Sequence, residues 1–291
     1  MTILKQLRDR TKTIGATQKI TKAMQTIAAS KFRKIKDILP EVKNYAQIVT
    51  EACIGVLSHL QDENLTDKEK LVFGIKNSNN KNKDDVVLVI ILSSERGLCG
   101  SFNSNLIRKL KEDIKLSSQD FRLLIFGKKA YDYLKKDYND RIVDYQHIYS
   151  SEIATAVKLQ QRILQIVKDN SNFTICKIYY NKFINVIKQE PDTLTLFPIS
   201  NYLFQQIQYS YEFEGEMVVE QIIDLYFLAI LFRTIVIHRL SEEGSRMTAM
   251  DNATISAGDM IEELTLKLNQ VRQAGITKEL IEIISGAEAI K

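Results

Sequence analysis

The two ends of this chain carry helical patterns too polar for ordinary core helices, and that limits the fold more than anything else in its 291 residues. One end reads Thr17-Gln-Lys-Ile20-Thr-Lys-Ala-Met24 and then Ala28-Ala-Ser30-Lys31. The other reads Glu243-Gly-Ser-Arg246-Met-Thr-Ala-Met250-Asp-Asn-Ala-Thr254 and then Arg272-Gln-Ala-Gly-Ile276-Thr-Lys-Glu279-Leu280. Residues 3–56 fit a heptad seam with spacing four and three: Ile3, Leu7, Arg10, Ile14, Thr17, Thr21, Met24, Ala28, Lys31, Ile35, Ile38, Val42, Tyr45, Val49, Ala52, Val56. From Ile35 onward the seam is apolar. Before it, Arg10, Thr17, Thr21, Ala28 and Lys31 thin it, leaving room for one slim partner helix and polar surface for something else to touch. Pro40 lies inside the pattern and predicts a kink or a brief end to the helix.

From about residue 216 the helical pattern returns with few breakers. An apolar register through Leu225, Leu228, Phe232 and Ile235 gives way to a sparser one through Ala249, Ala253, Ala257, Met260, Leu264, Leu268 and Val271. Some 60 to 70 residues at about 1.5 Å each make a helix of order 100 Å, much longer than a small domain is wide. Two such helices at opposite ends of one chain predict an antiparallel shaft. A shaft works by contacting partners and not by housing chemistry.

The charge is unevenly spread, although the chain as a whole carries only +4. Residues 1–37 hold ten Lys and Arg against Asp9 and Asp37, whereas residues 241–291 hold nine acids against five bases. Opposite charge favours pairing of the two ends, and it selects a partner more than it adds stability. Cys53, Cys99 and Cys176 are far apart, with no CxxC or Cys/His cluster, so a zinc site is not expected and a reducing compartment fits. No apolar leader follows Met1. The most apolar stretch, 217–237, contains Glu220, Asp224 and Arg233 and reads as a buried helix, since each charge would cost about 2.5–3.5 kcal/mol at a bilayer centre.

The middle of the chain has a different grammar. Residues 61–85 read as a flexible linker, with the polar run Lys76–Lys83 at its centre. Val86–Leu92 is a continuous apolar run, the mark of a buried parallel strand. Helix 103–116, strand 121–126, helix 128–136, a short strand at 141–144, helix 152–169 and strand 173–180 follow, and 192–213 reads as an edge strand or two. Alternating strand and helix predicts an α/β domain with a mostly parallel, Rossmann-like sheet. The whole chain then divides into an N-terminal shaft helix at 1–60, the linker at 61–85, an α/β domain at 86–213 and a C-terminal shaft helix at 214–291.

Two local features invite other functions. Ser94-Glu-Arg-Gly97-Leu-Cys-Gly100-Ser-Phe-Asn103 follows the first strand and precedes a helix, where Rossmann domains cradle phosphate. Its pattern is GxxG and not GxGxxG, and the next strand leads into Gly127-Lys128-Lys129 without a ribose-binding acid. A tight turn needing glycine explains it as well. The basic N-terminal arm could bind RNA, but residues 1–31 contain no aromatic stacking platform. No spacing suggests a Ser/His/Asp or Cys/His catalytic set. Met24 and Met250 sit beside polar seam positions, where a soft side chain can face a partner.

Together these segments resemble the gamma subunit family of F-type ATP synthases. Gln18–Met24 with Ala28–Lys31 is similar to the family's first shaft helix. Glu95-Arg-Gly-Leu-Cys-Gly-Ser-Phe-Asn103 is similar to its Asp-Arg-Gly-Leu-Cys-Gly-Gly-Phe-Asn loop. Ser241–Ala289 is similar to its C-terminal helix, through Arg246–Thr254, Arg272–Leu280 and Ile284–Ala287. The departures are Ser101 for the loop's second glycine, Phe32 where the family usually has Met, Arg239-Leu240 where small residues are usual, and the Asn/Lys-rich linker.

The resemblance implies a non-catalytic rotor without cofactor or metal. Its paired end helices would enter a ring of alternating alpha and beta subunits. Its α/β domain would lie against the epsilon subunit and the c-subunit ring. It implies one copy per complex, no nucleic-acid partner, and a peripheral position on the cytoplasmic face of a bacterial inner membrane. By motif match, Met24, Arg246, Arg272, Gln273, Thr277 and Glu279 are the expected rotor–stator or shaft contacts. An α/β enzyme with a ligand at 94–103 and a nucleic-acid adaptor are the rival classes.

Overall fold

The computed structural model describes residues 2–58, 66, 70, 72–73, 86–117, 119–169, 173–199 and 216–288. The Lys76–Lys83 run and residues 200–213 lie outside the described residues. Two compact units form: one from the chain ends, Met1–Ala29 with Arg246–Lys291, and one from Ser30–Ser245.

The chain begins with α1 (Thr2–Leu57) and, in the middle, continues through β1 (Val86–Leu92), α2 (Phe102–Leu116), β2 (Asp120–Phe126), α3 (Lys128–Tyr138), a 3-10 turn, β3 (Ile142–Gln146), α4 (Glu152–Asp169), β4 (Phe173–Phe183) and β5 (Gln189–Phe197). It finishes with α5 (Glu216–Glu288). The strands form one mixed sheet in the order β3-β2-β1-β4-β5. β1 is parallel to β2 and β4, β2 is parallel to β3, and the edge strand β5 is antiparallel to β4. A continuous apolar run is what a central parallel strand needs, because helices cover both its faces. Accordingly β1 is buried along nearly its whole length.

One face of the sheet packs Val87, Val89 and Ile91 against Leu106, Ile107 and Leu110 of α2 and Ala130 and Leu134 of α3. The other face packs Leu88, Ile90 and Leu92 against α4, the last turns of α1 and the first turns of α5. Part of α5 is long and apolar enough to cross a membrane by composition. Here Val219, Ile223, Phe227, Ala229 and Ile230 are instead buried against the sheet, as the charges in that stretch led us to expect.

Helix α1 runs unbroken through Pro40, against the expectation of a kink or interruption. Pro40 and Lys36, whose carbonyl loses its partner, are both exposed, so water replaces the missing hydrogen bond. The seam also differs from the predicted one in every second member. Leu7, Ile14, Thr21, Ala28, Ile35, Val42, Val49 and Val56 do face inward. Between them the inward residues are Thr11, Gln18, Gln25, Phe32, Leu39, Ala46 and Cys53, while Arg10, Thr17, Met24, Lys31, Ile38 and Tyr45 are exposed. On α5, Ala257, Leu264, Leu268 and Val271 keep their predicted place, but Ile261 replaces Met260, which is half exposed.

In the Ser30–Ser245 unit, Phe32, Ile35 and Val42 of α1 bury against Val236 and Leu240 of α5. The Phe32 ring lies 5.6 Å from that of Phe183. Gly244 leaves room for it, since a Cβ there would stand 3.4 Å from the Phe32 ring. Lys31 and the buried Glu243 form an ion pair at 3.8 Å between the two helices.

Candidate functional site

In the unit built from the chain ends, small and polar groups link α1 to α5. Gly15 faces Ile261, Gln18 faces Gly258 and Thr254, Thr21 faces Thr254, and Gln25 faces Asp251. Each step up α1 is matched by a step back along α5, so the pair is antiparallel. Gln25 Nε2 donates to Asp251 Oδ1 at 2.6 Å, the Thr21 and Thr254 hydroxyls are 2.7 Å apart, and Gln18 Nε2 donates to the Thr254 carbonyl at 3.4 Å. The glycines let the backbones approach, and the polar contacts hold the register where apolar packing is thin. These cross-links were not foreseen: Thr21 stood in the predicted seam only as a polar gap, and Gln18 and Gln25 were not in it.

All ten basic residues of 1–37 are exposed: Lys5, Arg8, Arg10, Lys12, Lys19, Lys22, Lys31, Arg33, Lys34 and Lys36. The expected attraction between oppositely charged ends contributes the Lys31–Glu243 pair, and most of the positive charge faces outward. Met24 is 37% exposed, and Ile20 and Ile27 on the same helix are more so.

The six predicted contact residues do not form one cluster. Arg246 is half-buried, and Met24 lies beside the Gln25–Asp251 contact. Arg272, Gln273, Thr277 and Glu279 are exposed, about 30–40 Å beyond Asp251 along α5. The Thr277 hydroxyl donates to the Gln273 carbonyl of its own helix at 3.0 Å. The register puts residues beyond Gly275 past the start of α1, and there Ile276, Leu280, Ile281, Ile283 and Ile284 are all at least half exposed.

The loop after β1 was the candidate phosphate cradle, and its polar groups are used internally. Asn103 Oδ1 accepts from the Ser94 backbone N–H at 3.0 Å, and its Nδ2 donates to Ser94 Oγ at 2.7 Å and to Cys99 Sγ at 3.2 Å. Ser94 Oγ donates to the Arg96 carbonyl at 2.6 Å. Glu95 reaches across to the loop after β3, accepting from the Ile148 N–H at 2.7 Å. The left-handed residues are Leu98 (φ 64°) and Gly100 (φ 57°), not Gly97.

In sheets of this order the ligand crevice opens where the chain reverses direction, between β1 and β4. Here α5 reaches into that place. Ser245 Oγ donates to the Cys99 carbonyl at 2.8 Å, and the buried Asn181 donates its Nδ2 to the Phe102 carbonyl at 3.1 Å. The Asn181 backbone N–H donates to Nδ1 of His238 at 3.2 Å, and the His238 ring lies 5.0 Å from Phe102. Full burial lowers the His238 pKa to about 4; nearby Glu242 opposes the shift and Arg239 adds to it. His238 is therefore a neutral acceptor, with its proton on Nε2. The loop geometry supports a clasp for α5 better than a nucleotide cradle, and among the described residues no group of His, Cys, Asp and Glu is arranged to hold a metal.

The comparisons agree with this architecture. A family model described as ATP synthase matches residues 3–290. The ATP synthase gamma chains of Rickettsia canadensis and Rickettsia felis are 39% and 40% identical, over the full length of both chains in each case. Among solved structures, a chain of Euglena gracilis mitochondrial ATP synthase (OSCP, F1 and c-ring, rotational state 3) superposes with a TM-score of 0.72 at 17% identity. It covers 99% of this chain and 94% of that one. A chain from the central stalk and c-ring of Tetrahymena thermophila mitochondrial ATP synthase gives 0.60 at 25% identity, covering 80% and 99%. With a family model spanning nearly every residue and full-length relatives at this identity, the chain belongs to the ATP synthase gamma chain family.

Proposed function

We propose that this gamma chain is the central stalk of an F-type ATP synthase, a non-catalytic subunit that couples proton flow to ATP synthesis by turning inside a ring of alpha and beta subunits. The observation that carries the reading is the antiparallel pairing of the chain's own ends through Thr21–Thr254, Gln25–Asp251 and Gly15–Ile261, with the basic residues of α1 turned outward. A rotor needs different contacts with successive stator states and must not bind one of them too tightly. A thin helix pair linked by polar contacts suits that need.

On this reading Met24, Arg246, Arg272, Gln273, Thr277 and Glu279 meet the alpha–beta ring or steady the shaft. Arg272 and Gln273, both exposed, would hydrogen-bond a beta-subunit loop. The α/β unit meets the epsilon subunit and the c-ring, one copy is present per complex, and the assembly sits on the cytoplasmic face of a bacterial inner membrane.

The test is the ATPase activity of matching alpha and beta subunits mixed with and without this chain. Steady turnover that depends on it, with one copy retained per alpha–beta hexamer, is the expected result. No association and no stimulation would remove the reading.

A further inference from the structure

The loop Ser94–Asn103 is the motif that nucleotide binding does not explain, and its Cys99 carbonyl is bonded by Ser245 of α5. We propose that the hydrogen-bonded set Ser245–Cys99, Asn181–Phe102 and Asn181–His238 locks the rotational register of α5 against the sheet, and so carries torque between that helix and the α/β unit. The inference rests on the central-stalk reading and names residues that position the shaft.

The packing of α5 around this set is mostly apolar, through Phe227, Ile230, Leu231, Ile235, Val236 and Leu240. Apolar burial and close packing oppose both separation and rotation of the helix, but they follow area and shape and supply no directional bond. Hydrogen bonds depend on direction, and a buried one is costly to leave unmade. His238 and Ser245 are seven residues apart, two turns on the same side of α5. Both connect to the β1–α2 corner, Ser245 directly at Cys99 and His238 through Asn181, whose side chain bonds Phe102. Two points of attachment on one side, spaced along the axis, share the twisting load that one point would carry alone.

The corner itself is stiffened. Asn103 ties Ser94 to Cys99, and the Ala130 N–H donates to Ser93 Oγ at 2.9 Å, joining the loop to α3. Glu95 ties it to the segment after β3. A load entering at Cys99 is thus shared by β1, α2, α3 and β3. That gives the Glu95–Asn103 motif a mechanical role in place of a ligand.

The test uses the whole ATP synthase in inverted membrane vesicles with Ser245→Ala, a half-buried position where loss of one hydroxyl leaves the core intact. ATP hydrolysis and ATP-driven proton pumping are measured together, first without and then against an imposed proton gradient. The expected result is near-normal hydrolysis, with pumping per ATP lowered about twofold or more against the gradient, the scale of one lost hydrogen bond. Ser245→Thr, which keeps the hydroxyl, restores it. A pumping ratio unchanged under load overturns the proposal, as does a parallel fall in hydrolysis and pumping, which would mark a merely structural role. His238→Leu is the second variant and removes the other attachment point. Its pumping ratio falls in the same way, or the lock is wrong. A chain that failed to join alpha and beta even as wild type would instead overturn the stalk reading.

Discussion

The hydroxyls of Thr21 and Thr254 stand 2.7 Å apart between the two end helices, and each also lies within reach of a carbonyl of its own helix, Gln18 at 3.0 Å and Met250 at 2.7 Å. Two protons serve three hydrogen bonds, so making the cross-link means that one hydroxyl gives up its intrahelical bond. The link is therefore weak and exchangeable. Thr21→Val or Thr254→Val alone is expected to cost about 0.5–1.5 kcal/mol, because the remaining hydroxyl turns back to its own helix. A double-mutant cycle followed by hydrogen exchange in the helix pair checks this, with an expected coupling under about 1 kcal/mol.

Met24 offers its side chain outward from α1 beside the polar contacts. Met24→Lys adds a further charge to an already basic surface. The expected outcome is weaker coupling of hydrolysis to pumping with ATPase activity retained, measured in the reconstituted complex. Tightly coupled pumping in that variant would count against a stator contact at this position.

Gly127 has φ 103°, and a Cβ there would meet the Ser93 carbonyl oxygen at 2.1 Å. The obstacle is backbone that itself bonds across the sheet, since the Ser93 N–H donates to the Phe126 carbonyl at 2.8 Å. Gly127→Ala is expected to destabilise by more than about 2 kcal/mol. In denaturant the midpoint should fall with the slope unchanged.

His238 makes stability depend on pH in a definite window. Its folded pKa is about 4 against 6.5 when exposed, so below pH 6.5 the unfolded chain takes up a proton that the folded chain does not. The contribution is complete above pH 6.5, is lost as pH falls to about 4, and changes no further below that. The loss amounts to about 3 kcal/mol. His238→Gln, compared with wild type by denaturant titration between pH 7 and 4, should flatten that slope. An unchanged slope would mean that the histidine is not buried as a neutral acceptor.

All three thiols are buried. Burial pushes Cys53 up to about 12 and raises Cys176 as well, so neither forms thiolate near neutral pH. A maleimide should label the folded protein slowly and the denatured protein at three positions. Rapid labelling of native Cys53 or Cys176 would show that the sheet core opens readily.

Half of the α1 seam was legible because Leu7, Ile14, Thr21, Ala28, Ile35, Val42, Val49 and Val56 recur at sevens. The other half was misplaced for a geometric reason. The residues three and four positions after each shared member lie on opposite flanks of the stripe, and only the location of the partner decides which flank turns inward. Apolarity favoured Tyr45, which is exposed, over Ala46, which is buried. The clasp was hidden for a similar reason. Asn181 lies on β4 and His238 and Ser245 on α5, and none of them carries a local pattern that links it to Cys99 or Phe102.

The sequence alone determined the two long end helices, through helical period and scarcity of breakers. It also determined the central strand β1, through seven consecutive apolar residues, and the family, through three motifs in order. Tertiary structure alone decided which residues press against each other between α1 and α5, that the loop after β1 clasps α5, and that most of the basic charge of α1 faces outward. Secondary structure follows from local spacing, whereas a pairing between residues more than a hundred positions apart depends on where the whole fold sets each backbone.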